Sequence, residues 1–290
     1  MYNLRYHVAS LVAVFLALTV GLLLGTVVAE QGTLDTQSST LIDDLQKQFA
    51  QIQKDNADLR AGLERDRTFA GDVVPVLTSG VLRGSDVLVL VNAGQSNGLN
   101  AAVTAIEQAG GTSVVVTIES SDFGLGKRVP EGLPALLGDS FAAETAVPVS
   151  QAFKAALADA LATELRQGGS RPVFDALVKS GGIASVNEKG VGAIDTCVYM
   201  ASFGGKPDDL SAQVAAALAV HGAVVVGVEA TNQSTGVAAK AVDLGFSAVD
   251  HVDTPQGAFS LVWLLAGRSS GYFGIGQGAD AIYPTVAVKR

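Results

Sequence analysis

The sequence predicts an α/β protein: an N-terminal transmembrane helix and a coiled-coil stalk, followed by a Rossmann-like or flavodoxin-like parallel-sheet domain. Three observations lead there. An uncharged apolar run opens the chain, a heptad pattern follows it, and short β-branched runs then alternate with helical ones to the C-terminus. The composition agrees. Of 290 residues, 48% are hydrophobic, only 6% are aromatic and 16% are charged, the opposite of a disordered chain. The mean hydropathy of +0.36 is high for a soluble protein. With 28 acidic residues against 19 basic ones the net charge is −9, a deficit of the basic residues a phosphate backbone requires, which argues against nucleic acid as a partner. A single cysteine, Cys197, excludes an internal disulfide and any multi-cysteine metal centre.

The first element is the membrane segment, residues 8–29, preceded by a short cytoplasmic tail, 1–7. From Val8 to Ala29 there is no charge, and at about 1.5 Å per residue such a helix crosses a hydrocarbon core of about 30 Å. The competing reading is a cleaved signal peptide ending at Val27-Val28-Ala29. Its apolar region would usually span about 7–15 residues, shorter than this one, so length favours a retained anchor. Arg5 and the α-amine precede the segment, whereas Glu30, Asp35, Asp43 and Asp44 follow it. The positive-inside rule therefore predicts a cytoplasmic N-terminus and an extracytoplasmic domain. Within the segment Ala9, Ala13, Ala17, Gly21, Gly25 and Ala29 recur at every fourth position. A small-residue stripe lets two helix backbones approach closely and predicts a dimer. Residues Leu210–Val228 are also uncharged, but they read as an amphipathic helix followed by a buried strand, leaving one span.

The stalk, residues 30–70, is helical from about Leu34, with no proline and only Gly62 as a weak point. Ile42, Phe49, Asn56, Leu63 and Ala70 fall at heptad position a, and Leu45, Ile52, Leu59 and Asp66 at d. The seam ends where Asp66 takes a d position. Asn56 at a is the usual polar device for fixing register in a parallel two-stranded coil. Seam and membrane stripe thus predict a parallel homodimer; the alternative is one amphipathic helix packed on its own domain.

Residues 71–290 form the α/β domain. Expected strands are Asp86–Asn92, Ser113–Ile118, Ile194–Ala201, Ala223–Val228 and Ser247–Val252. Expected helices are Leu99–Ala109, Gln151–Arg166, Pro172–Ser180, Asp208–Val220, Gly236–Leu244 and Pro255–Ala266. Short apolar strands separated by helices imply a parallel sheet covered on both faces. The stretch Ser121–Val149 reads as a long loop or insertion.

Chemistry-bearing signals are few. Gly94-Gln95-Ser96-Asn97-Gly98 matches a nucleophile elbow between strand and helix, which makes Ser96 a remote hydrolase candidate. It would need His221 or His251 with an acid such as Asp195 or Asp243, and no recognisable motif joins them. A plain βα turn is the competing reading. Gly274-Ile275-Gly276-Gln277-Gly278 lacks the strand context of a dinucleotide loop and reads as a flexible or tightly turning segment. For a soft metal the chain offers only Cys197, Met200 and His251 as weak candidates. Cys197 and Met200 lie three apart on one strand and so face opposite ways; His251, between Asp250 and Asp253, reads as part of a solvated polar loop. No catalytic residue and no cofactor is assigned from the residues themselves.

Leu4-Arg5-Tyr6-His7 running into VASLVAVFLALTVGLLLG resembles the start of the actinobacterial copper transport protein MctB family. The tail VDHVDTPQGAFSLVWLLAG, followed by SSGYFGIGQGADAIYP, resembles its end. The order of anchor, stalk and α/β domain fits as well, so the resemblance covers essentially the whole chain. It implies copper homeostasis or transport, with copper as the only ligand suggested, and an association with an outer-membrane channel. It also implies a dimeric envelope protein that influences peptidoglycan hydrolysis and cell separation, with a cell-wall enzyme or its regulator as partner. The residues themselves favour an indirect role in copper handling. A transmembrane β-barrel needs many strands of about 9–11 residues in a closed sheet, and here strands alternate with helices. The expectation is a non-catalytic, single-pass cell-membrane protein.

Overall fold

The computed structural model describes residues 4–94, 97–186, 192–203, 209–231 and 236–285. The chain divides into two units, Met1–Asp66 and Arg67–Arg290.

The first unit is helical. Helix α1 (Leu4–Thr78) begins here, and its stretch Tyr6–Val28 is long and apolar enough to cross a membrane. The two threonine hydroxyls in that stretch turn back onto their own helix: Thr19 donates to the carbonyl of Phe15 and Thr26 to that of Leu23. Such local pairing is how a hydroxyl is satisfied among apolar neighbours. Farther along, Gln51 Nε2 donates to Asp55 Oδ1 at 2.8 Å and Asn56 Nδ2 to the carbonyl of Ile52 at 2.9 Å, local pairs at the spacing that steadies a helix surface.

In the second unit α1 does not stop at Ala70 but continues to Thr78 through Pro75. Pro75 removes one backbone donor, and Thr78 Oγ1 satisfies the carbonyl of Val74 at 2.9 Å. Gly80, at φ 71°, takes the left-handed conformation that ends the run.

The remaining elements are β1 (Asp86–Asn92), α2 (Leu99–Gln108), β2 (Thr112–Ile118), α3 (Leu133–Leu136), α4 (Gln151–Gln167), α5 (Pro172–Ser180), β3 (Ile183–Val186) and β4 (Thr196–Tyr199). After them come α6 (Leu210–Val220), β5 (Val224–Val228), α7 (Val237–Asp243), β6 (Ser247–Val249), α8 (Pro255–Leu265) and β7 (Tyr272–Phe273). The strands form one seven-stranded sheet in the order β3-β2-β1-β4-β5-β6-β7. It is parallel except at the β3 edge, where β3 runs antiparallel to β2.

Alternation along the strands builds a core on each face. Leu88, Leu90, Cys197, Tyr199 and Val225 pack with α4, α5 and α6. Val87, Val89, Val198, Val226 and Val228 pack with α2 and α8 on the other side. Gly227 makes room for α7, because a Cβ there would collide with Ala241. Two strands go beyond the sequence reading: β3 has four residues and β7 two, too few to show a periodicity. The stretch 121–149 is also more ordered than a loop. It contains α3 and a 3-10 turn at Asp139–Phe141, and it buries Phe123, Leu125, Leu133 and Val149 in the core.

Candidate functional site

The chain leaves β1 through α2 on one face of the sheet and leaves β4 through α6 on the other. The connections therefore part at the C-terminal ends of β1 and β4, the place where open α/β sheets bind ligands. There Asn92 Oδ1 accepts the N–H of Ser202 at 3.2 Å, joining the ends of the two strands.

Beside this junction a cleft of about 490 Å³ opens between α6 and α7, its walls including Ala201, Phe203, Gln213 and Val237, with Asp209 and Lys240 as a charged pair. Asp209 caps α6: Oδ1 accepts the Ser211 N–H at 3.0 Å and also the Ser211 hydroxyl. Its Oδ2 accepts Lys240 Nζ at 2.9 Å and the Tyr199 hydroxyl at 3.3 Å. Asp209 is only 2% exposed, and a buried carboxylate needs such a set of donors. Burial, and then the Asp209 charge, push the Tyr199 phenol up, so it stays a neutral donor. Since its oxygens are engaged by four donors, Asp209 acts as a cap and as an anchor for Lys240. The cleft thus offers a positioned ammonium beside apolar walls, an arrangement suited to binding.

A second polar centre lies at the end of β6. Asp250 accepts the Tyr272 hydroxyl at 2.7 Å and the N–H groups of Ile275 and Gly276 at 3.0 and 2.6 Å, with His251 Nδ1 at 3.1 Å. Burial opposes its charge, but the Tyr272 hydroxyl, the two amides and His251 together hold the carboxyl below its ordinary value. Burial and the bond to Asp250 push the Tyr272 phenol up. A Cβ at Gly274 or Gly276 would run into the Asp250 carboxylate. The glycine-rich tail segment is therefore a tight wrap around an internal anion.

Ser96 and its neighbour Gln95 lie outside the described residues. Gly98, the last glycine of that motif, packs closely: a Cβ there would sit 3.1 Å from both Ala230 and Val252. Among the described residues the histidines and acids meet other partners: His221 Nε2 meets Asp159 at 2.8 Å, Asp195 pairs with Arg166, and His251 Nδ1 meets Asp250. Cys197 and Met200 lie in the cores on opposite faces of the sheet, and burial pushes the Cys197 thiol up. His251 departs from the solvated loop expected of it: it is 2% exposed. Among the described residues no group of three or more His, Cys, Asp or Glu gathers as metal ligands.

The small residues Ala13, Ala17, Gly21 and Gly25 and the seam residues Ile42, Leu45, Phe49, Ile52, Asn56, Leu59 and Leu63 are exposed along α1. Sequence reasoning missed Asp209, Lys240 and Asp250. The one signal present was Asp209-Leu210-Ser211 ahead of an apolar run, an N-cap pattern.

Fold and site define an α/β protein with an N-terminal candidate membrane helix and a ligand-sized cleft at the C-terminal edge of a mostly parallel sheet. The chain belongs to the MctB family, whose model, described as "Copper transport outer membrane protein, MctB", matches residues 1–284. It is also similar to the copper transporter MctB of Mycobacterium leprae (strain TN), with 27% identity over 97% of this chain and 99% of that one. No solved structure matches.

Proposed function

We propose that this protein serves copper homeostasis or transport from the cell envelope, as a non-catalytic, membrane-anchored homodimer. The observation that carries the proposal is the family match, which extends over residues 1–284. In this reading the single span places the N-terminus in the cytoplasm and the Rossmann-like domain outside. The stalk pairs as a parallel coiled coil, and the stripe Ala13, Ala17, Gly21 and Gly25 pairs within the bilayer. Copper is cargo or an indirect beneficiary. The buried thiol of Cys197 favours the indirect role, because a soft metal needs an accessible thiolate. A deletion strain should lose copper tolerance and regain it on complementation. Stoichiometric, tight Cu(I) binding by the purified protein, abolished by Cys197→Ser, would replace the indirect role with a direct one.

A second reading is favoured by the exposed apolar seam from Ile42 to Leu63: a dimeric scaffold that regulates peptidoglycan hydrolysis and cell separation by holding a cell-wall enzyme or its regulator. In that case the deletion strain keeps its copper tolerance and fails to separate. Covalent labelling of Ser96 by a serine-directed probe would overturn the non-catalytic part of either reading.

A further inference from the structure

A second cavity opens at the C-terminal end of β2, on the edge of the sheet where open α/β folds take ligands. Strand β2 passes into Glu119 and Ser120, and a tight turn follows. Ser120 Oγ donates to Asp122 Oδ1 at 2.7 Å, and the Gly124 and Gly126 N–H groups donate to the two Asp122 oxygens at 3.1 and 2.8 Å. Phe123, at φ 53°, takes a left-handed conformation that a bulky residue rarely adopts, and its side chain is buried in the core. A Cβ at Gly182 would collide with the Phe123 carbonyl, so the turn is clamped against the start of β3.

The cavity beside this turn measures about 590 Å³, within the range of small-ligand sites. Helix α5 forms one wall. Its residues Pro172, Asp175, Ala176 and Lys179 line the space at i, i+3, i+4 and i+7, while Val173, Phe174 and Leu177 enter the core. Lys127, Arg128 and Glu131 line it from the segment after the turn, and Glu119 from the end of β2. Three cations and three carboxylates therefore share one cavity. All six are exposed. Among the described residues none of the six side chains enters a hydrogen bond or an ion pair.

We propose that this cavity binds a short zwitterionic peptide, its ammonium groups held by Glu119, Glu131 and Asp175 and its carboxylates by Lys127, Arg128 and Lys179. Three observations select that class. The lining charges balance, so a polyanion or a metal ion would meet as many repelling groups as attracting ones, whereas a ligand of both signs is matched. The charges are also unengaged, so binding breaks no ion pair of the domain. Length agrees as well. From Pro172 to Lys179 the helix wall rises about 10 Å at about 1.5 Å per residue, the span of about three residues of extended chain at about 3.3 Å each. The site lies wholly in the globular unit and asks nothing of copper, so it stands apart from the envelope role proposed above.

Isothermal titration of the full chain in detergent tests the site. The probes are free tetrapeptides holding one Glu and one Lys in either order. The controls are their end-capped analogues with Gln at both places, citrate and spermidine. The free peptides should bind saturably, one per chain, and about tenfold or more tighter than any control. Arg128→Ala with Lys179→Ala, and separately Glu119→Gln with Asp175→Asn, should each weaken binding about tenfold or more. These exposed changes should leave the circular dichroism unaltered, and Lys47→Ala on the stalk should leave the affinity unaltered. Citrate or spermidine binding as tightly as the peptides overturns the zwitterion assignment. Peptide binding that survives both double variants overturns the site, and no saturable binding of any free peptide overturns the proposal outright.

Discussion

Asp250 gathers the Tyr272 hydroxyl and two glycine-loop amides, so exchanging one carboxylate oxygen for an amide nitrogen removes the charge and leaves at least one of these donors without an acceptor. Asp250→Asn should cost about 1–3 kcal/mol, read as a lower urea midpoint at pH 7. The sign with pH follows from the depressed carboxyl. Its stabilisation is complete above the unfolded value of about 3.9 and is lost as pH falls through the lower folded value. The gap between wild type and variant should therefore close below about pH 4. Gly227 poses the reverse problem, since a side chain there would enter the space of Ala241. Gly227→Val should destabilise by about 1–3 kcal/mol through overpacking, with partial rescue by Ala241→Gly. A Gly227→Val variant with an unchanged denaturation midpoint would refute the tight α7 contact.

At the level of elements, α1 is the clearest case of a pattern that needs no tertiary contact to be legible. An uncharged run, a heptad repeat and the absence of proline before Pro75 define a helix by themselves. A Cβ added at Gly21 or Gly25 meets nothing within 4 Å. Gly21→Leu with Gly25→Leu should therefore leave the helix intact and weaken only its pairing, giving a smaller oligomer in detergent; an unchanged oligomer would remove the small-residue stripe from the dimer proposal. The short strands behaved differently. β1, β2 and β5 announced themselves as apolar β-branched runs, whereas β3 and β7 exist because a neighbouring strand offers its edge. Pairing with a distant segment, not local preference, makes those residues strands.

Across the whole molecule, the two faces of the sheet explain why the sparse reactive side chains do not converge. Strand alternation sends Cys197 into one core and Met200 into the other. Cys197 should resist maleimide in the folded protein and react in step with global unfolding; labelling at the native rate of an exposed thiol would contradict its burial. A single cysteine was enough to set aside an internal disulfide. The alternation of β-branched and helical runs was enough to imply a parallel α/β sheet with an apolar helix before it, because period and length are local properties of the chain. The cleft of Asp209 and Lys240, the wrap around Asp250 and the burial of His251 were decided only by the tertiary structure. Each joins residues well separated in sequence or depends on how deeply a neighbour covers them, and neither separation nor depth is written in a local pattern.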